Sequence, residues 1–523
     1  MNPGPANGDR TTAEAPLRFG TAGLRGPLRD GPGGMNVDTV TRATAGLAAW
    51  LTSTGRGGGL VVVGRDARHG SEEFFAATTQ VLAAAGFDVV ALPDPGPTPL
   101  VAFATRRLGA VAGVMITASH NPPGDNGYKV YVQGGAQLIA PADREIEAAI
   151  DAAPPAAAVA RTPVAPDRRA LTVRDDYLDR LDERFGPPVP AALTIALTPM
   201  HGVGGALARE ALARSGFTDV HVVAEQFDPD PDFPTVRFPN PEEPGATDLL
   251  LALAAERNAD LALALDPDAD RCAIGVPDAA GRWRMLTGDE TGALLGSWIL
   301  DHWDGDRAPV IASSLVSGTL LHRIALARGA DARRTLTGFK WLVRAGEPLA
   351  YAYEEALGHC VDPVAVRDKD GISAAVAVAL IAQEYADRGV TPAEALDDLT
   401  TRYGRHVTAQ RSLRVEQLAD IGALMRRLRT APPPELAGLP VAAVDLLHDG
   451  PGPHTDAVEL AGSRPDGTTL RVTARPSGTE PKLKYYGELA AEPGDPRSAD
   501  DLRAELARVL RELPDRPRTR SAP

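Results

Sequence analysis

Residues 60–92 read LVVVGRDARHGSEEFFAATTQVLAAAGFDVVAL: an apolar run, a polar loop, an Ala/Leu-rich stretch of helical character, a glycine and a second apolar run. Strand, helix, strand in that order is the sequence form of a βαβ unit on a parallel sheet. The pattern returns as LTIALTPMHGVGGALAREALARSGFTDVHVV at 193–223 and as PVIASSLVSGTLLHRIALARGADARRTL at 309–336. Gly86, Gly216 and Gly329 stand just past the last helical turn of each copy, where a left-handed residue ends a helix. The copies lie a domain's length apart, so the reading is three α/β domains rather than one large doubly wound sheet.

The segment after each copy is more telling. A third apolar run comes next and stops abruptly in a polar loop: AVAGVMITASHNPPGDNGYKVY from 110, ADLALALDPDADR from 259 and PLAYAYEEALGH from 348. Open α/β sheets bind ligands beyond the carboxyl ends of their strands, so the three loops are expected to converge on one cleft. The Pro/Ala stretch at 151–166 reads as a linker. Past about residue 405 the pattern changes: TTLRVTARPSGTEPKLKYYGELA at 468–490 is strand-like around a turn, and SADDLRAELARVLREL is an amphipathic helix. The expected domains are 1–165, 166–288 and 289–404, all α/β, and an α+β unit at 405–523.

Composition narrows the function. The 523 residues are 44% hydrophobic and 24% charged, as in ordinary soluble proteins. A net charge of −15 speaks against a general nucleic-acid or anionic-membrane binder, which needs a basic face. The N-terminal stretch has no apolar signal region, and nothing approaches the ~18 apolar residues of a membrane span, so the expected address is the cytoplasm. Cys272 and Cys360 lack CxxC partners and read as inert core residues. No His spacing suits zinc, leaving oxygen as the expected metal donor. Only five of the 54 basic residues are lysines, namely Lys129, Lys340, Lys369, Lys482 and Lys484. A coding bias toward arginine explains the scarcity, and it makes each surviving ammonium informative.

The loops carry the chemistry. In DPDADR, Asp266, Asp268 and Asp270 alternate after a strand-like run, and an extended backbone would aim all three carboxylates to one side. Three hard oxygens suit Mg²⁺, whereas an EF-hand fails because Arg271 stands where its glycine should be. A solvated acidic turn is the plain alternative. In TASHNPPGDNGYK, Ser119 leaves an apolar run into a constrained Pro/Gly/Asn turn, a setting for a nucleophile or phosphoacceptor, or for a capped structural turn. In RPSGTEPK, Arg475, Ser477, Gly478 and Thr479 form a phosphate nest. GVGG at 202–205 reads as a strand-to-helix turn. There is no Walker A motif, so a nucleotide donor is unsupported. A metal trio, an exposed serine and a phosphate nest together point to phosphoryl transfer through a protein hydroxyl. The rival chemistries are a phosphatase with an aspartyl nucleophile, which Asp270 would crowd, and a non-catalytic sugar-phosphate sensor.

FGTAGLRG (19–26), TASHNP (117–122), NGYK (126–129), DPDADR (266–271), TGFKW (337–341), YEEALGH (353–359), VRDKDG (366–371) and RPSGTEPK (475–482) occur in the order found in one family. By these motifs the chain resembles the α-D-phosphohexomutases, the phosphoglucomutase and phosphomannomutase group, most nearly the phosphoglucomutase-2-like branch that includes phosphopentomutases. The resemblance implies four domains around a central cleft, the first three alike with mixed sheets. It implies a phosphoserine at Ser119, and Mg²⁺ held by Asp266, Asp268, Asp270 and a phosphate oxygen on Ser119. Arg25 and Lys129 would stabilise charge or move protons. His120, Arg271, Thr337, Gly338, Lys340, Glu354, His359 and Lys369 would contact substrate, and Arg475, Ser477, Gly478 and Thr479 would hold the phosphate not being transferred. The substrate would be a small phosphosugar, with a sugar bisphosphate as activator and intermediate. The expected reaction interconverts glucose or mannose 1-phosphate and 6-phosphate, with pentose phosphates the nearest alternative. The family's serine two residues after the sugar-binding glutamate is Ala356 here, and Lys484 reads as an exposed strand position. Monomer and dimer stay open.

Overall fold

In the computed structural model, which describes residues 16–278, 280–415, 418–449, 454–477 and 482–514, each of the three repeated units builds one sheet on a common plan. The first holds β1 (Leu24–Pro27), β2 (Leu60–Arg65), β3 (Asp88–Ala91), β4 (Ala112–Ile116), β5 (Asp125–Val132) and β6 (Ala136–Gln137). The second holds β7 (Ile195–Thr198), β8 (Val220–Val222), β9 (Leu261–Leu265), β10 (Cys272–Pro277) and β11 (Trp283–Met285). The third holds β12 (Val310–Ser314), β13 (Asp331–Thr335), β14 (Leu349–Glu354) and β15 (Gly358–Cys360).

In every sheet the first apolar run lies between two parallel neighbours: β2 between β3 and β4, β7 between β8 and β9, β12 between β13 and β14. The chain then folds straight back, so that β4, β9 and β14 pair antiparallel with β5, β10 and β15. The sheets are therefore mixed, and the three polar loops occupy one topological position, the turn from the last parallel strand into its antiparallel partner. Central strands such as VVV and LALAL are buried on both faces, as expected of sheets covered by helices on both sides. The helix-ending glycines behave as read, with φ of 84°, 107° and 73° at Gly86, Gly216 and Gly329.

One apolar core runs through the first three sheets, from Val62 and Tyr131 through Leu197 and Leu263 to Tyr353. Its centre is the helix Gly371–Ala386, whose residues 371–383 are all buried, consistent with the sequence GISAAVAVALIAQ being apolar on every face. The helix Arg168–Phe185, just after the Pro/Ala stretch, braces this junction. Its Tyr177 meets Phe103 edge-on at 5.5 Å and donates to the Asp370 carboxylate at 2.8 Å, while Arg180 Nε donates to Asp362 at 2.7 Å.

The C-terminal part is built differently. β16 (Arg405–Arg414), β19 (Ala442–Asp445), β20 (Val458–Ser463), β21 (Thr469–Pro476) and β22 (Lys482–Ala491) form an antiparallel sheet in the order β16-β22-β21-β20-β19, and β17 (Glu435–Leu436) pairs with β18 (Leu439–Pro440). Helices Leu418–Thr430 and Ala499–Glu512 pack on the sheet, the second opened by a Ser498/Asp501 capping box. This α+β unit has its own core around Leu424, Leu460, Leu483 and Leu506.

Candidate functional site

Ser119 follows β4 in a left-handed conformation, φ 54°, which a non-glycine residue keeps only when its surroundings hold it. Two groups do so here. The Ser119 amide donates to Thr117 Oγ1 at 2.8 Å, and the buried Arg68 guanidinium donates to the carbonyls of Ser119 at 2.5 Å, Asn121 at 2.7 Å and Pro122 at 2.9 Å. Ser119 Oγ donates to Asp266 Oδ2 at 3.0 Å and lies 3.1 Å from His120 Nδ1. Arg25, on β1 opposite Gly127, donates to Asn121 Oδ1 at 3.2 Å. Gly23 permits that approach: a Cβ there would sit 1.9 Å from the Tyr128 carbonyl oxygen.

The aspartates converge, though not by an extended backbone. β9 ends at Leu265, and the next residues turn through Ala269 at φ 51°, with the Ala269 amide donating to the Asp266 carbonyl at 2.8 Å. This correction has a physical consequence, because a turn gathers three carboxylates more tightly than a pleat of period two. One oxygen from each lies within 4.8 Å of the other two, and all three residues are 0% exposed. The GVGG segment explains how the turn is held: the Val203 amide donates to the Pro267 carbonyl at 2.9 Å, and a Cβ on Gly202 would fall 2.3 Å from the Pro267 Cα.

Cations balance the carboxylates. Lys129 Nζ donates to Asp268 Oδ2 at 2.6 Å and Asp270 Oδ2 at 2.9 Å, and Lys369 Nζ lies 3.2 Å from Asp270 Oδ2. Thr98 Oγ1 donates to Asp268 Oδ2 at 2.6 Å. The Oδ1 atoms of Asp268 and Asp270 are buried without a hydrogen-bond partner, and a buried anionic oxygen left in that state is costly unless a cation takes it. The donor set, all carboxylate oxygen plus a serine oxygen, fits Mg²⁺.

Burial acts oppositely on the two charge types. Burial, joined by Asp268 and Asp270, pushes the Asp266 carboxyl well above the usual range. Burial also opposes ionisation of Asp268, but Lys129 and Thr98 outweigh it and hold that carboxyl low. Burial alone would lower Lys129, yet Asp268 and Asp270 prevail and push it up, so its ammonium persists. Burial drives His120 well below its ordinary value, with Arg271 and Arg25 adding to the effect, and leaves a neutral imidazole beside Ser119.

The third loop meets this group. Arg271 bridges to Gly358, its amide donates to Asp266 Oδ1 at 3.0 Å, and its guanidinium lies 3.5 Å from Glu242. Lys369 lies 5.4 Å from the Phe339 ring, and Gly358 makes room for its stem, since a Cβ there would lie 2.5 Å from it. Lys340, after Thr337 and Gly338 (φ 103°), donates to Thr21 Oγ1; burial lowers its ammonium, Asp143 and Glu354 oppose that, and Arg475 adds to it. Glu354 also raises Arg271 and Lys369, behind the larger effects of burial and the aspartates. Arg475, next to last on β21, lies opposite Lys484, whose Nζ lies 5.9 Å from the Tyr486 ring, and the Ser477 amide donates to the Lys482 carbonyl at 2.8 Å. Gly478 and Thr479 lie outside the described residues.

His359 is not brought to this group. On β15 its neighbour Gly358 faces Lys369, so alternation turns His359 the other way. Its Nδ1 pairs with the Tyr351 hydroxyl at 2.8 Å, its ring stacks with Tyr351 and Tyr353, and burial lowers it to about 3. Arg68, Thr98 and Gly202 were not legible as site residues. Arg68 and Gly202 sit in loops after the first strand of a unit and Thr98 opens the helix Thr98–Arg107 after the second, whereas the strongest motifs follow the third.

Comparison with known proteins agrees with the three repeated α/β units. Residues 16–156, 175–280 and 287–403 match the family models for phosphoglucomutase/phosphomannomutase α/β/α domains I, II and III. The chain is 41% identical to a "Probable phosphomannomutase" of Haemophilus influenzae over 92% of its length and 98% of that protein's. It is 36% identical to the phosphopentomutase of Homo sapiens over 95% of its length and 88% of that protein's. The solved structure of the exocytosis-sensitive phosphoprotein pp63/parafusin from Paramecium shares the fold at a TM-score of 0.72 and 18% identity, covering 97% of this chain and 98% of that one.

Proposed function

The chain belongs to the phosphoglucomutase/phosphomannomutase family, and we propose that it interconverts hexose 1-phosphate and hexose 6-phosphate, of glucose, mannose or both, through a phosphoserine at Ser119 and a sugar bisphosphate. As a family member it is an isomerase acting on sugar phosphates. The hexose is the finer part of the reading. One observation carries the phosphoserine reading: Ser119 Oγ sits 3.0 Å from an aspartate whose two companions keep buried oxygens without hydrogen-bond partners.

In this reading Asp266, Asp268, Asp270 and a phosphate oxygen on Ser119 hold Mg²⁺, which when bound neutralises charge and polarises the phosphoryl group. A sugar hydroxyl oxygen bonds to phosphorus while the phosphorus–Oγ bond of Ser119 breaks. The hydroxyl proton ends on Ser119 Oγ, and His120, neutral and 3.1 Å away, is placed to relay it. Lys129 keeps its charge and with Arg25 steadies the negative charge that spreads over the transferring group. The bisphosphate then turns end for end, and its other phosphate returns to Ser119.

Glu354, Lys369, Arg271 and the Thr337–Gly338–Lys340 loop contact the sugar phosphate. Arg475 and Ser477, with Gly478 and Thr479, hold the phosphate that stays. The substrate is a small phosphosugar, and boundaries near 165, 288 and 404 leave each sheet whole.

Intact mass and a substrate panel test the reading. One phosphate on Ser119, with turnover of glucose 1-phosphate or mannose 1-phosphate, is the expected result. Undiminished turnover by Ser119→Ala would refute it. A phosphopentomutase is the second reading, favoured by the human relative; turnover of ribose 1-phosphate alone would put it first.

A further inference from the structure

Glu354, the proposed sugar contact, is followed by a second glutamate that faces away from the aspartate trio. Glu355 Oε2 accepts from Ser314 Oγ at 2.9 Å and Ser317 Oγ at 3.2 Å, and the Glu355 amide donates to Ser317 Oγ at 3.2 Å. Tyr353, the residue before Glu354, donates to the Gly318 carbonyl and to Asp289 Oδ1, both at 3.1 Å, while the Gly318 amide donates to Asp289 at 2.6 Å. The start of the helix Gly288–Asp301 presses from the other side, since a Cβ on Gly288 would lie 2.0 Å from the Glu355 carbonyl oxygen. Both residues flanking Glu354 are thus fastened to the segment 314–318.

The C-terminal sheet grips that same segment. Arg471 donates to the carbonyls of Leu315 at 2.7 Å and Ser317 at 2.5 Å. Glu488 accepts from the Thr319 amide at 2.6 Å and hydroxyl at 2.8 Å, and is itself held by Arg471 at 2.9 Å and His406 at 3.0 Å. Arg471 lies on β21, four residues before the proposed phosphate ligand Arg475. Beside this junction a cavity of about 310 Å³, lined by Glu355, Asp289, Thr408 and Tyr486 among others, replaces close packing. The docking is completed by ion pairs of Arg323 with Glu492 at 2.6 Å and Arg334 with Glu459 at 3.3 Å and by a small apolar cluster of Leu315, Val316 and Tyr486.

We propose that Glu355 is a positioning residue: through Ser314 and Ser317 it ties Glu354 to the segment on which the C-terminal sheet docks, so that seating of the phosphate-binding sheet sets the sugar contact. The proposal deepens the mutase reading and rests on Glu354 touching the sugar. Its chemistry is not that of a mere filler. A carboxylate placed beside Glu354 and Asp289 is electrostatically unfavourable, and burial with those two neighbours pushes it up to about 7, so an uncharged residue would serve stability better.

Two measurements on the full chain test this. Hydrogen–deuterium exchange of the peptide 351–360 needs no turnover. Arg471→Ala is expected to speed its exchange severalfold, and unchanged exchange would overturn the link. In assays with glucose 1-phosphate, Glu355→Ala is expected to raise KM about tenfold while kcat stays within about threefold, the cost of a displaced contact rather than of lost chemistry. Glu355→Gln, which still accepts a serine hydrogen bond, should recover most of the loss. Glu355→Ala with Arg471→Ala should be little worse than either change alone, because both break one chain of contacts. Effects that simply multiply would overturn the proposal. Absence of all sugar-phosphate turnover by the wild-type protein would defeat the mutase reading instead, and the exchange experiment would still read the linkage.

Discussion

The junction among the first three sheets and the junction with the fourth solve one problem in opposite ways. At the first, side chains from three sheets meet in a continuous apolar core, and the buried Lys129, Asp268, Asp270 and Lys369 are locked together by direct charge pairs. At the second, two separate cores face each other across a cavity and are joined by polar contacts, those of Arg471 and Glu488 with the 314–319 segment and the Arg323–Glu492 and Arg334–Glu459 ion pairs. Phosphoryl transfer depends on fixed placement of charge, and the first junction supplies it. In the proposed reaction a substrate turns end for end and needs one wall of its site to reseat, and the second junction is suited to that.

Substitutions can break the contrast. The largest effect is expected from Ser119→Ala, a loss of roughly 10³-fold or more in kcat with no phosphate found by intact mass. Asp268→Asn comes second. It removes an anionic ligand and half of Lys129's pairing, so activity should fall about 100-fold. In the wild-type protein Mg²⁺ should raise the melting temperature, and in Asp268→Asn it should not; an equal rise in both would show that the cation sits elsewhere.

Arg68→Lys ranks third. An ammonium cannot reproduce a guanidinium that serves the carbonyls of Ser119, Asn121 and Pro122, and a stability loss of about 1–3 kcal/mol is expected from unmet carbonyls, with kcat falling more than KM rises. Chemical denaturation and steady-state kinetics read the two parts. An unchanged kcat would mean that the Ser119 turn holds itself.

The smallest effect belongs to the second junction. Burial opposes ionisation of Glu488, but His406 and Arg471 outweigh it and hold its carboxyl below the ordinary 4.5. A depressed carboxyl stabilises the fold above its unfolded value and stops doing so as pH falls through its folded value. Glu488→Gln should therefore flatten the acid side of the stability profile below about pH 4.5, raise KM no more than about fivefold and leave kcat near wild type. A collapse of kcat instead would erase the distinction between the two junctions.

Much of the first junction was legible because its residues are chemically conspicuous. Three aspartates after LALAL, a serine in a Pro/Gly turn and lysines in a lysine-poor chain all stand out. The repeat itself predicted where the loops would lie, since glycine-terminated helices and apolar runs are local signals. What escaped notice depends on direction and distance. His359 looks like its neighbours in sequence, and only strand alternation turns it into the interior. Arg68 acts on backbone carbonyls more than fifty residues away, a role that leaves no motif. The Asp266–Asp270 turn deceived the period-two reading because Ala269 takes a conformation that alanine rarely adopts.

The buried helix Gly371–Ala386 gives the molecule an order of assembly. Its first amide donates to the Ala269 carbonyl at 3.1 Å, and a Cβ on Gly371 would collide with the Arg271 carbonyl at 2.4 Å, so the aspartate turn has its final wall only when this helix arrives. A ribosome adding ~5–20 residues per second has been at work for roughly 20–80 s by then. Until that point the nascent chain exposes the apolar surface that the helix will cover. Chaperone demand should therefore peak late in synthesis, after the first two sheets are complete and before the C-terminal sheet exists.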